Sequence, residues 1–137
     1  MLKIYFAGSI SGGRDDAKLY EEIISHLKQY GDVLTEHVGS KNLSSKGETT
    51  ITPKEIHDRD IDWVLDADLI VAEVTTASLG VGYEIGRALE NGKKIICLFR
   101  PSSGKRLSAM IEGAPGVITE SYETLEEAKK IIDKHLK

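Results

Sequence analysis

The chain has 137 residues, 40% of them hydrophobic and 29% charged, with a formal net charge of −4. That length suits one domain, here residues 1–137, able to bury most of the surface its unfolded chain exposes. The acidic balance argues against an extended nucleic-acid backbone as partner, because such binders carry a basic face. A single phosphate needs only a few local donors and stays open. No apolar segment approaches the roughly 20 residues that span a bilayer. Residues 1–6 enter a strand with no charged leader before a long apolar run, so a cytoplasmic location is expected. The one cysteine, Cys97, sits in an apolar run and reads as a buried thiol.

The elements follow from periodicity and caps. Residues 2–7 form the first strand. Leu19, Tyr20, Ile23, Ile24 and Leu27 then mark one helix face, with Gly31 expected just past the helix end. Residues 32–38 read as a second strand and 39–50, polar with Gly, Ser and Lys, as a loop. In Thr52-Pro53-Lys54-Glu55 a threonine N-cap, a proline at the first helical position and a capping-box glutamate open a helix to about Asp66. Next come a strand at 69–74, a helix at 80–91 and a strand at 94–99, then a loop with Pro101, Gly104 and Gly113. A short edge strand is expected at 117–119 and a last helix at 124–136. Continuous apolar strands alternating with helices imply a five-stranded, doubly wound parallel α/β sheet covered on both faces. Such sheets bind ligands outside the carboxyl ends of their strands, at the switch point. That rule gathers the loops after Ala7, Val74 and Phe99.

Within those loops, Ser78-Leu-Gly-Val-Gly-Tyr-Glu-Ile-Gly-Arg-Ala88 stands out. Ser78 is a suitable N-cap, the glycines permit close ligand approach, and the exposed N–H groups of a helix start favour an anion. Glu84, about one turn in, repels an anion unless it reacts with what the anion anchors. Gly8-Ser9-Ile10-Ser11-Gly12-Gly13-Arg14 offers a second phosphate-loop candidate, with backbone donors, hydroxyls and a guanidinium. It matches neither the Walker pattern nor GxGxxG, so no dinucleotide or triphosphate is implied; a plain βα turn is the other reading.

On the helix from Pro53, turning about 100° per residue places Asp60 among Ile56, Val64, Ala67 and Trp63, whereas Asp58, Asp62 and Asp66 fall on the opposite side. Two readings of Asp60 stand: a carboxyl kept protonated by burial, fit to be a general acid, or a carboxylate held by backbone N–H groups or an arginine such as Arg59 or Arg87. Tyr5, just before the Gly-Ser turn, is either a site hydroxyl or a core tyrosine. His26, His37, His57 and His135 show no metal-ligand spacing, and no metal or organic cofactor is expected. Ser108 suits the cap of a short helix. An ionised and a protonated carboxyl beside a phosphate loop fit cleavage of a phosphorylated sugar's glycosidic bond.

The stretches Tyr5–Arg14, Leu34–Val38, Ala72–Thr75, Ser78–Arg87, Leu98–Pro101 and Leu107–Ile111 resemble the 2′-deoxynucleoside 5′-monophosphate N-glycosidases of the nucleoside 2-deoxyribosyltransferase superfamily. The resemblance spans nearly the whole chain. It implies a Rossmann- or flavodoxin-like fold, a homodimer, and hydrolysis of a deoxynucleoside monophosphate to 2-deoxyribose 5-phosphate and free base. It further implies Glu84 as nucleophile, Asp60 as acid to the leaving base, and Tyr5 orienting Glu84. The family's phosphate contacts map onto Ser9, Ile10, Gly12, Ser78 and Gly80, with Ser108 reaching in from the neighbouring subunit; Gly8, Ser11, Arg14 and Met110, which lie beside them, complete the candidate binding residues. Ser11 stands where such proteins carry arginine, which alters the expected phosphate affinity, and residues 39–50 do not clearly match. The rival readings are a deoxyribosyltransferase on free nucleosides, a ribonucleotide N-hydrolase, and a noncatalytic nucleotide-binding module.

Overall fold

In the computed structural model, residues 1–9, 16–35 and 51–137 are described. Five strands, β1 (Leu2–Gly8), β2 (Gly31–Val33), β3 (Leu69–Glu73), β4 (Lys94–Phe99) and β5 (Val117–Ser121), form one sheet. All pairings are parallel and the order is β2-β1-β3-β4-β5. The helices are α1 (Ala17–Leu27), α2 (Pro53–Asp66), α3 (Leu79–Glu90), the short α4 (Ala109–Glu112) and α5 (Leu125–Leu136). The chain winds outward from β1 to β2, then resumes on the other side at β3. The switch point therefore lies between the carboxyl ends of β1 and β3, where Gly8 pairs with Glu73.

Strand alternation splits the core into two layers. Ile4, Phe6, Leu69 and Val71 pack with Tyr20, Ile23 and Leu27 of α1 and Ala128 and Ile132 of α5. Tyr5, Ala7, Ile70 and Ala72 face the other way, onto Val64 of α2 and Val81, Ile85 and Ala88 of α3. The side chain of Tyr5 is thus committed to the α2–α3 side. The capping box at Thr52 forms with both its hydrogen bonds, and the unmarked Thr124 start of α5 carries a second one.

Two local expectations need correction. Gly31 is not the residue that closes α1, which is capped at Lys28; it opens β2 instead. A Cβ at Gly31 would lie 2.0 Å from the Leu2 carbonyl oxygen, so this rung of β1 and β2 requires glycine. The second strand begins one residue earlier than expected and its assigned ladder ends at Val33. Leu34 N–H still donates to Ile4 O at 2.9 Å. At Thr35 the side chain takes over: its Oγ1 accepts from Phe6 N–H at 2.9 Å and donates to Phe6 O at 2.6 Å. The rest of the expected strand, from residue 36 and including His37, and the 39–50 loop up to residue 50 lie outside the described residues.

Candidate active site

The site is assembled from β1, α2 and α3. Ser78 caps α3, its Oγ accepting from Val81 N–H at 3.3 Å. From that start, Val81, Ile85 and Ala88 turn into the core, and Glu84 projects beside them toward β1. The Tyr5 hydroxyl donates to Glu84 Oε2. Tyr5 is almost fully buried, and burial followed by the charges of Glu84 and Asp60 raises its hydroxyl far above the ordinary phenol range. It therefore stays a proton donor at any working pH.

Glu84 is pushed up to about 7. Burial is the largest cause; the Tyr5 hydrogen bond opposes it, and the charge of Asp60 adds to it. This revises the expected division, in which Glu84 was the plainly ionised carboxyl of the pair. Without substrate, Glu84 holds its proton well into the neutral range, because a hydrogen bond from one phenol does not replace the water that burial removes.

Asp60 lies close enough for its charge to act on both Tyr5 and Glu84. The helical count placed it correctly: it is half-buried, while Asp58, Asp62 and Asp66 are exposed. Of the two readings, the structure supplies the arginine partner. Arg59 reaches Asp60 Oδ1 with Nε at 3.0 Å and Nη2 at 2.9 Å. The Arg59 guanidinium also stacks 4.8 Å above the Trp63 ring, one turn further along α2. Arg87, the other arginine considered, instead donates to the Tyr83 hydroxyl at 2.6 Å.

The remaining expected residues divide into three groups. Ile10, Ser11, Gly12, Gly13 and Arg14 lie outside the described residues. Gly8 and Ser9 end β1 against Tyr20. A Cβ at Gly8 would meet the Tyr20 ring at 2.8 Å, and Ser9 N–H donates to the Tyr20 hydroxyl at 3.2 Å. Gly8 thus has a packing reason independent of any ligand. Ser78, Ser108 and Met110 line a cavity of about 540 Å³ with Leu79, Leu107 and Ile111, and Tyr5, Asp60 and Glu84 are not part of that lining. Gly80, at the mouth of α3, has only Ser78 Oγ near its missing Cβ, at 3.8 Å. Ser108 caps α4, accepting from Met110 N–H at 3.2 Å. Leu79 is 97% exposed and Met110 82%, an apolar rim open to solvent.

Sequence reasoning missed a buried polar cluster under the same sheet edge. Glu73 has no exposed surface, yet ends the central strand β3. Its carboxylate accepts from Thr75 N–H at 3.0 Å, Thr75 Oγ1 at 2.7 Å and the Tyr122 hydroxyl at 2.5 Å. A lone acidic residue in the run Leu69–Val74 was the signal available. Cys97 is buried as expected, its thiol pushed up to about 12 first by burial and then by Glu73. Among the described residues no group of three or more His, Cys, Asp or Glu side chains is arranged for a metal ion, and no helix is long and apolar enough to cross a membrane.

Comparison with known proteins adds the following. The profile of the nucleoside 2-deoxyribosyltransferase family matches residues 4–127. A 5-hydroxymethyl-dUMP N-hydrolase of Danio rerio is 53% identical over 137 residues, covering 98% of this chain and 95% of that one. A protein of the same name from Tetraodon nigroviridis is 59% identical over 114 residues, covering 82% and 80%. Among solved structures, a CMP N-glycosidase of Clostridium botulinum superposes with a TM-score of 0.72 at 23% identity, covering 98% of this chain and 99% of that one. At that identity the likeness concerns the fold.

Proposed function

This chain belongs to the nucleoside 2-deoxyribosyltransferase family, and we propose that it is an N-glycosidase hydrolysing 2′-deoxynucleoside 5′-monophosphates to 2-deoxyribose 5-phosphate and free base. The observation that carries this reading is the convergence of two carboxyls and a buried phenol, Glu84, Asp60 and Tyr5, at the α2–α3 side of the switch point. The names of the fish relatives, N-hydrolases of a deoxynucleoside monophosphate, support the same substrate class.

Glu84, ionised, attacks C1′ as the C1′–N bond breaks, and the bond's electron pair leaves with the base. Asp60 delivers a proton to that base. Water then attacks C1′ of the glutamyl ester, Asp60 takes the water's proton, and Glu84 is released. Tyr5 steadies the attacking carboxylate by donating to its Oε2. A proton held by Glu84 in the empty site must move before attack; the coupling of the two carboxyls provides the acceptor in Asp60. The 5′-phosphate is assigned to the β1 loop, including Ser9, Ile10 and Gly12, and to Ser78 and Gly80 at the start of α3. The apolar rim of Leu79, Tyr83 and Met110 supports a homodimer, across which Ser108 would reach the partner's phosphate.

The test is base release, followed by chromatography, from a panel of deoxynucleoside monophosphates including 5-hydroxymethyl-dUMP, the matching ribonucleotides, and deoxynucleosides with and without an acceptor base. Release confined to deoxynucleoside monophosphates is expected. Base exchange on free nucleosides would instead assign a transferase, and nucleotide binding without release a noncatalytic module.

A further inference from the structure

The cluster on the α1–α5 face of the sheet is not used by the chemistry above, yet it joins Asp16, at the start of α1, to the β3–α3 connection that leads to Ser78. Arg100, directly after β4, is at its centre. Its Nη2 donates to Asp16 Oδ2 at 2.7 Å, and its Nε lies 3.8 Å from Glu73 Oε2. That Nε is shielded from solvent and has no hydrogen-bond partner among the described residues. The Arg100 backbone N–H donates to Thr75 Oγ1 at 3.0 Å, and Thr75 Oγ1 in turn donates to Glu73.

Two features are out of place for a purely stabilising cluster. Asp16 occupies the N-cap of α1, where an aspartate ordinarily accepts from the first turn. Here its side chain makes no cap hydrogen bond, and its carboxylate turns to Arg100. Glu73 is a carboxylate with no exposed surface, and burial raises its proton affinity even against four favourable contacts. Packed apolar side chains would serve stability as well or better. What the charges do achieve is geometric. A planar guanidinium ties the start of α1, through Asp16, to the chain leading to Ser78, through Glu73 and Thr75.

We propose that Arg100 is a positioning residue for phosphate recognition, holding the start of α1 and the β3–α3 connection in register through Asp16, Glu73 and Thr75. This rests on the phosphate assignment made under the proposed function. Neither Arg100 nor Asp16 acts on the reacting atoms; their effect is on where the phosphate-binding backbone stands.

The experiment compares wild type, Asp16→Asn, Arg100→Gln and the double variant. Steady-state kinetics on the best deoxynucleoside monophosphate are combined with calorimetric binding of that nucleotide, and circular dichroism fixes the folded fraction. In each single variant KM and the dissociation constant are expected to rise about tenfold while kcat stays within about threefold, and the double variant is no worse than either single one. Unchanged KM and binding in folded variants, or a fall in kcat alone, would overturn the proposal. If Arg100→Gln does not fold, Asp16→Asn decides, since the amide keeps the size of the carboxylate and removes only its charge toward Arg100. Absence of turnover by wild type would sink the hydrolase reading, whereas the positioning role would still be judged by the binding constants.

Discussion

Replacing Glu84 with glutamine should destroy activity and stabilise the protein. The glutamine carbonyl can still accept the Tyr5 hydroxyl, so the hydrogen bond survives while the titrating proton is removed. Glu84 is pushed from an ordinary 4.5 up to about 7, chiefly by burial. A carboxyl that holds its proton more tightly folded than unfolded loses stability as pH rises. The loss begins near the unfolded value of 4.5 and is complete above about 7. At pH 8 it amounts to about 3 kcal/mol, and at pH 5 to less than about 1 kcal/mol. In a chain of 137 residues, 1 kcal/mol moves Tm by about 3–4 °C. Glu84→Gln should therefore melt as much as about 10 °C above wild type at pH 8, with the gap closing toward pH 5. Calorimetric scans across that range, beside base-release assays, measure both effects. Equal melting at pH 8, or an offset that does not change with pH, would refute the claim that burial holds this carboxyl up. Substantial residual turnover would refute its role as nucleophile.

Other substitutions probe the same geometry. In the wild type, kcat/KM should fall as pH rises through about 7, because the proton Glu84 holds in the empty site is the one Asp60 must deliver to the base. Tyr5→Phe removes the contact that lowers Glu84, so this limb moves to higher pH, with kcat/KM on the plateau below it reduced roughly 10- to 100-fold. Asp60→Asn removes a charge that raises Glu84 and the acceptor for its proton, so Glu84 must ionise to solvent and does so below its wild-type value; turnover should fall most for poorly leaving bases, and an equal loss on all bases would count against the acid role. Leu79→Asp places a charge on the exposed apolar rim and should convert the proposed dimer to monomers in sedimentation, lowering activity with it. Gly31→Ala drives a methyl into the Leu2 carbonyl and should cost about 3 kcal/mol or more in denaturant unfolding.

Local signals carried much of this protein. The order of elements, the Thr52 cap, the start of α3 at Ser78 and the partial burial of Asp60 were legible because each depends on neighbours within a turn or two. The strand–helix alternation likewise announced a parallel sheet, which the structure shows in all four pairings. Family resemblance, rather than periodicity, attached roles to Tyr5, Asp60 and Glu84. What the tertiary structure alone decided were the contacts that bridge distant segments. Tyr5 meets Glu84 across 79 positions, and Arg100 meets Asp16 across 84. The need for glycine at Gly31 arises only when β2 lies against Leu2. The protonation of Glu84 belongs to the same class. A carboxyl's proton affinity depends on how much water the surrounding fold removes and which charges it brings near, and neither quantity is a property of the residues beside it in the chain.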